Sequence, residues 1–479
     1  MQTVKEDIKK LFRQYSDGII TSIEKLPQSG SDRMYLRILT NEGSYIATYN
    51  TNVKENNSFI NFSRHFKKCN CPVPEIYIVN DEQTIYIQED LADKSLLNEL
   101  EEKGPNEYVY ALFEKSLKTL AQLQINGDNG LDYDWCITSA TFGKQAIVSD
   151  LLYFKYYFLD TLKIPYDKEK LIDDFDALSN YLSHVDHKYF MFRDFQSRNV
   201  MVKNDEVFFI DYQGGMKGAL QYDVASLLWQ AKAELSDEWK KNLLNYYMNC
   251  VEGILQKPID KNRFESQYNG YVLIRLLQVL GAYGFRGLFE RRAHFLTSIP
   301  LALKNLQWFL KNISVGIVLP EFERLLGLIT EDEVIDRFEN IKATTTTPLL
   351  ITINSFSYRK GIPADISENG GGYVFDMRGI LNPGRVDEYK KLSGLEKPVK
   401  DFLEQQTDMP AYLNSVYNMI DISVSDYIRR EFKNLVINFG CTGGQHRSVY
   451  AAEALARHLR NKFKVKVQLT HTNQQNWVK

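Results

Sequence analysis

Aromatic and β-branched residues collect in three early runs, Met34–Leu39 (MYLRIL), Ser44–Tyr49 (SYIATY) and Thr84–Gln88 (TIYIQ), each bounded by Gly, Asn or Asp. Runs of this kind predict strands, so the first hundred residues read as β-rich. The opening MQTVKEDIKKLF reads as a charged amphipathic helix start, and a second helix is predicted over Ser58–Lys68. Pro72-Val-Pro74 then forces an extended path, because the residue before a proline avoids helix. After Glu89–Asp90 apolar positions recur at spacings of three and four, over Val109–Leu123 and Leu151–Leu162, which predicts helices. A short β island follows at Tyr189–Arg193, Val200–Lys203 and Val207–Tyr212. Helical patterns return at Asp223–Ala233, Glu238–Ile254, Tyr268–Leu280 and Leu301–Phe309. A small β-lobe, then a helical lobe with a hairpin inside it, predicts a bilobal α+β domain with its site in the cleft.

Residues 331–347 (EDEVIDRFENIKATTTT) are charged and then low in complexity, the composition of a linker. A different pattern follows. Strand-like Leu349–Phe356, Tyr373–Met377, Asn434–Phe439 and Lys464–Leu469 alternate with helix-like Val399–Gln405, Ala411–Arg430 and Ser448–Arg460. That alternation predicts a smaller α/β domain with a largely parallel sheet. The expected organisation is a first domain over 1–328 (β-rich lobe 1–90, helical lobe 91–328), a linker over 329–347 and a second domain over 348–479.

The 479 residues exceed one ordinary core, which agrees with two domains. Hydrophobic residues at 44% and charged residues at 25% are in globular balance. The N-terminus lacks the apolar core of a signal peptide, and no run reads as a membrane span. Five scattered cysteines, with Cys69-x-Cys71 too close and solitary for a zinc site, fit a reducing compartment. The expectation is a cytoplasmic protein without a membrane partner. The formal net charge of −3 hides an asymmetry, since residues 348–479 hold 18 Lys/Arg against 13 Asp/Glu.

Candidate chemistry concentrates in Arg193-Asp194-Phe195-Gln196-Ser197-Arg198-Asn199, followed by Ile210-Asp211-Tyr212. Phosphoryl transfer needs a carboxylate at the attacking hydroxyl, and oxygen donors for the cation that neutralises the phosphates. The spacing lets Asp194 face the acceptor while Asn199 and Asp211 turn to a metal. The run FRDFQSRNVM…FFIDYQGGMKGALQYDVASLLWQ resembles the aminoglycoside-phosphotransferase/choline-kinase superfamily, closest to kinases of N-acetylmuramate and N-acetylglucosamine acting at the anomeric hydroxyl. That resemblance implies a protein-kinase-like fold, ATP and Mg²⁺ as cofactors, and an amino sugar as the small-molecule substrate in cell-wall sugar salvage. By it Asp194 is the base, Asn199 and Asp211 bind Mg²⁺, and Asp223 is a structural residue at a helix start, where an N-cap carboxylate is also expected on physical grounds. Phe192 departs from the superfamily's usual His. The glycine-rich phosphate loop is reduced to Gln28-Ser29-Gly30-Ser31-Asp32-Arg33, in which Gly30, Ser31 and Arg33 are the cofactor-binding candidates. The strand SYIATYN lacks the usual phosphate-binding lysine, and Lys54 or Arg33 are its candidate replacements. Glu89 and Leu91 would form the interlobe hinge whose backbone meets adenine.

The second constellation is Cys441-Thr442-Gly443-Gly444-Gln445-His446-Arg447-Ser448, between a strand and a helix. Free N–H groups and the helix dipole converge on such a turn and favour anions. Cys441 and Arg447 also keep the C-x₅-R-[ST] spacing of cysteine phosphatases. The run from ITINSFSYRKGIP through YVFDMRGILNPG to GCTGGQHRSVYAAEALA resembles the C-terminal domain of RapZ, the RNase adapter protein. That resemblance implies a phosphosugar effector site (glucosamine-6-phosphate) and contact with RNA; RapZ's own N-terminal Walker A loop has no counterpart here. Three functions stand: an amino-sugar kinase with a phosphosugar-sensing domain, a regulatory RNA-binding adapter with a sensor-type pseudokinase domain, and a bifunctional kinase/phosphatase using Cys441.

Overall fold

The computed structural model describes residues 2–26, 33–290, 293–339, 341–365 and 372–478. It divides into two compact units, one comprising Met1–Phe285 with Leu301–Ile335 and the other Arg286–Pro300 with Asp336–Lys479.

The first unit begins with a five-stranded antiparallel sheet built from β1 (Ile20–Lys25), β2 (Met34–Thr40), β3 (Ser44–Tyr49), β4 (Ile76–Val79) and β5 (Ile85–Glu89), in the order β1-β2-β3-β5-β4. Leu36, Ile38, Ala47, Ile85 and Ile87 point to one face and bury Ile8, Leu11 and Phe12 of the helix Gln2–Tyr15. Each such side chain removed from water contributes about 2 kcal/mol, so this apolar stripe fixes the helix on the sheet. The helix Val53–Lys68 starts one turn earlier than its apolar pattern predicts. Asn52 caps it by accepting the Glu55 N–H at 3.2 Å, which brings Glu55 into the first turn.

Helices then dominate, as the spacing predicts. Two small antiparallel pairs interrupt them: β6 (Lys188–Met191) with β9 (Met216–Ala219), and β7 (Val200–Lys203) with β8 (Glu206–Phe209). The α+β kinase-like expectation therefore holds for this unit. The helix Lys261–Tyr283, continuing to Phe289, is long and apolar enough by composition to cross a membrane, a span that the sequence pattern did not flag. Its apolar residues Tyr271–Ile274, Leu276, Leu277 and Leu280 are buried within the unit, as in the core helix of a globular lobe.

In the second unit β10 (Leu350–Ser357), β11 (Tyr373–Asp376), β12 (Asn434–Cys441) and β13 (Lys466–His471) form a parallel sheet in the order β11-β12-β10-β13. The helix Arg447–Phe463 buries Ala451, Ala452, Leu455, Ala456 and Leu459 in the same core as Ile351, Ile353, Ile437 and Phe439. This is the predicted smaller α/β domain with its strand–loop–helix unit.

Candidate active site

The hairpin β7–β8 brings the motif residues of the first unit together. Val200 pairs with Phe209, and the Ile210 N–H donates to Asn199 O at 3.1 Å, so Asn199 and Asp211 lie on opposite arms of one tight turn. The Asn199 amide nitrogen donates to Asp194 O at 2.9 Å and to Asp211 Oδ2 at 3.2 Å. With the nitrogen so engaged, Oδ1 is the Asn199 atom left for a cation. Asp211 adopts the left-handed backbone (φ 71°), as does Arg193 (φ 79°), a conformation that non-glycine residues hold only where surrounding structure enforces it.

Arg33 meets Asp211 directly, its Nη2 standing 2.8 Å from Oδ1, while Gln213 Nε2 donates to the same oxygen at 2.9 Å. Burial pulls the Asp211 carboxyl upward, but the Arg33 guanidinium and the Gln213 amide hold it below the ordinary range. Arg33 Nε also lies 3.5 Å from Glu55 Oε1, and Glu55 Oε2 accepts from Asn50 Nδ2 at 2.9 Å. Lys54, the other replacement for the missing lysine, is exposed on the same helix as Glu55. Gly30 and Ser31 lie outside the described residues.

At the lobe junction Glu89 closes β5 and its N–H donates to Glu75 O at 2.9 Å, while Leu91 is buried. Arg37 grips the intervening Asp90 at 2.7 and 3.1 Å, and Lys203 Nζ donates to Asp90 O at 2.9 Å.

Asp223 corrects the sequence reading. Ala219 is the N-cap of the helix Leu220–Leu228, and Asp223 lies inside that helix's first turns. Its buried carboxylate accepts the N–H groups of Phe192 (2.7 Å) and Arg193 (2.9 Å) and the Gln124 amide (2.8 Å). It therefore holds the backbone just ahead of Asp194. Burial pushes this carboxyl up to about 7, against those three donors and the Arg275 charge. Arg193 is clamped by Asp150 at 2.8 and 2.6 Å, and Phe192 packs edge-on to Phe195, Phe209 and Tyr212.

In the second unit a cavity of about 900 Å³ is lined by Arg378, Asn382, Arg385, Gln405, Thr442 and Arg447 among others. Of the eight loop residues singled out by sequence, Thr442 and Arg447 line it. Arg447 is buried at the start of its helix, and its Nη1 donates to Arg378 O (3.1 Å) and Ile380 O (2.6 Å). Its Nε is buried without a hydrogen-bond partner among the described residues. The other loop residues fasten the turn. Cys441 Sγ accepts the Gly444 N–H and meets Ser448 Oγ, each at 3.2 Å. Asn473 donates to Gly443 O at 2.7 Å, and Trp477 Nε1 to Gly444 O at 2.8 Å. Gln445 donates to Leu392 O at 2.8 Å, and His446 Nε2 lies 2.9 Å from Tyr389 O. Burial pushes the His446 imidazole below its ordinary value. Sequence reading missed Arg378 and Arg385. The signal that could have found them is the recurrence of arginine in MRGILNPGR, directly after a strand of the same sheet.

Comparison with known proteins matches two separate stretches of the chain. Residues 22–254 match the phosphotransferase enzyme family, and residues 349–475 match the RapZ C-terminal domain family. The N-terminal part thus resembles the phosphotransferase enzyme family. The C-terminal part is a RapZ C-terminal domain. Among curated proteins, a nucleotide-binding protein of Glaesserella parasuis serovar 5 is 33% identical over 188 residues, 38% of this chain and 62% of its own length. One from Actinobacillus pleuropneumoniae serotype 5b is 35% identical over 144 residues, 30% of this chain and 48% of its own. The chain thus spans less than two thirds of the length of these relatives. Among solved structures, a putative aminoglycoside phosphotransferase from Ralstonia eutropha is 15% identical with a TM-score of 0.46, covering 64% of this chain and 98% of its own. A choline/ethanolamine kinase family protein from Mesorhizobium loti is 12% identical with a TM-score of 0.45, covering 68% and 99%.

Proposed function

We propose that the N-terminal domain transfers the γ-phosphoryl group of ATP to the anomeric hydroxyl of an amino sugar, N-acetylmuramate or N-acetylglucosamine, in cytoplasmic salvage of cell-wall sugars. The convergence of Asp194, Asn199 and Asp211 on one hairpin, with Arg33 beside them, carries this reading. Asp194 orients the acceptor hydroxyl and takes its proton. Asn199 Oδ1 and the Asp211 carboxylate are the hard oxygen donors that would hold Mg²⁺, and the ion would neutralise the phosphate oxygens. Arg33 stands where its charge can pass from Asp211 to a phosphate, in place of the lysine that β3 lacks. Five free thiols suit a reducing compartment.

The C-terminal domain acts as a phosphosugar receptor. Three arginines around one cavity, with Arg447 Nε buried and without a hydrogen-bond partner among the described residues, support an anionic ligand. Cys441 is 3% exposed and does not line that cavity, which favours a receptor over a cysteine phosphatase. RNA contact is the reading that the exposed Lys464 and Lys466 beside edge strand β13 favour, and a salt-sensitive gel shift would reveal it.

The kinase proposal is tested by ³¹P NMR of ATP with N-acetylmuramate, N-acetylglucosamine and choline. A sugar 1-phosphate is expected, recognised by its shift and coupling. ATP left intact with both sugars would overturn the substrate assignment.

A further inference from the structure

Arg275 lies on the helix Lys261–Tyr283 and is 3% exposed. Its Nη2 stands 3.6 Å from Asp194 Oδ1, its Nη1 donates to Gln278 Oε1 at 2.6 Å, and its guanidinium lies 6.0 Å from the Tyr222 ring centre. A guanidinium taken out of water is strongly disfavoured unless a counter-ion compensates it. The neighbouring half-buried guanidinium, Arg193, has a carboxylate of its own in Asp150. Arg275 has Asp194 as its ion-pair partner among the described residues.

Asp194 stands in the opposite situation. Its backbone is fixed, because its carbonyl accepts the Gln196 N–H at 2.8 Å and the Asn199 amide at 2.9 Å. Its side chain is 46% exposed, with Oδ1 3.6 Å from Arg275 Nη2. A short carboxylate on a fixed backbone still rotates about its side-chain bonds, and a displacement of about 1 Å at a reacting group can cost a hundredfold in rate.

We propose that Arg275 is a positioning residue for phosphoryl transfer, holding the Asp194 carboxylate aimed at the acceptor hydroxyl. The inference rests on the reading of Asp194 as the base. A purely structural Arg275, packed on Tyr222 and Gln278, would act on stability without acting through Asp194.

A double-mutant cycle in the full-length protein separates these. Arg275→Gln should lower kcat by about 10- to 100-fold with the KM for ATP changed less than about threefold. Arg275→Lys, which keeps the charge, should recover part of that loss. In the Asp194→Asn background, Arg275→Gln should cost nothing further, because the group it aims is already gone. Losses that multiply in the double variant would overturn the proposal. Thermal melting gives a readout independent of turnover. Asp194→Asn strands a buried charge and should lower Tm, and adding Arg275→Gln should restore part of it; a further additive fall would also overturn the proposal. Should Arg275→Gln fail to fold, Arg275→Met carries the same test, and an unchanged kcat in a normally melting Arg275→Met protein would count against it. If Asp194→Asn alone retains activity within about tenfold, the assignment of the base has failed, and that result is distinct from a failed cycle.

Discussion

The loop 192–211 of the first unit and the loop 441–448 of the second each carry a residue pattern that points to phosphate chemistry, and they use it in different ways. In the first, the pattern works through side chains. Asn199 and Asp211 converge because one hairpin of eight paired residues closes between them, and the Asn199 amide also holds the Asp194 main-chain carbonyl. In the second, the pattern mostly builds the turn: Cys441, Gln445, His446 and Ser448 hold loop, tail and helix together. The cavity's extra charges come from Arg378 and Arg385, about sixty residues earlier. Residue spacing therefore reports a site when a single local turn assembles it. It under-reports a site assembled across a sheet.

The comparison can be broken most forcefully at Asp194. Asp194→Asn should lower kcat by several orders of magnitude with little change in ATP affinity, since the base acts in the transition state. Steady-state kinetics with calorimetry checks this, and turnover within tenfold would remove Asp194 from its role. Next, Asp211→Ala should abolish Mg²⁺-dependent ATP binding by calorimetry, because the metal ties the phosphates to the protein; undiminished binding would exclude it as a ligand.

In the second loop the contrast lies between Arg447 and Cys441. Arg447→Ala should remove glucosamine-6-phosphate binding, whereas Cys441→Ser should leave it within a few-fold, since serine still accepts from the Gly444 N–H. Turnover of p-nitrophenyl phosphate that disappears with Cys441→Ser would instead make this loop catalytic, and erase the difference between the two regions.

The smallest expected effect concerns Asp223. Burial raises its carboxyl to about 7 from an unfolded value near 4. A raised folded pKa adds stability that is fully present below the unfolded value and lost as pH rises through about 7. Asp223→Asn should flatten the pH dependence of Tm across that window by a few degrees. An unaltered slope in melting curves from pH 4 to 8 would assign the titration elsewhere.

Much of the architecture was legible where a segment is buried on a strongly patterned face. β3 and β7 match their predicted bounds, and β10 and β12 differ only at their ends. The missed strands have weaker patterns for physical reasons. β1 (ITSIEK) and β4 (IYIV) are sheet edges without a fully buried residue, and β9 (MKGA) contains glycine. Asp223 was legible as structural but not in its role, because a helix-start signal in sequence cannot reveal that Ala219 begins the helix and the carboxylate reaches across to residues 192 and 193. Arg275 gave no signal at all, being the one cation in the mostly apolar stretch 271–280 of its helix.

The Arg33–Asp211 pair has a consequence for the order of events. A carboxylate already supplied with an internal counter-ion offers little to a naked divalent cation, which would have to evict a guanidinium held on its other side by Glu55. A cation escorted by a polyphosphate meets a different situation, because the displaced guanidinium finds a new anion within reach. On the proposed reading, the resting protein is thus an exchanger of partners, closed to the metal alone and open to the metal–nucleotide complex. Mn²⁺ titrations followed by electron paramagnetic resonance should show weak binding that tightens sharply when nucleotide is added, and Arg33→Met should abolish that contrast by exposing Asp211 to the free ion.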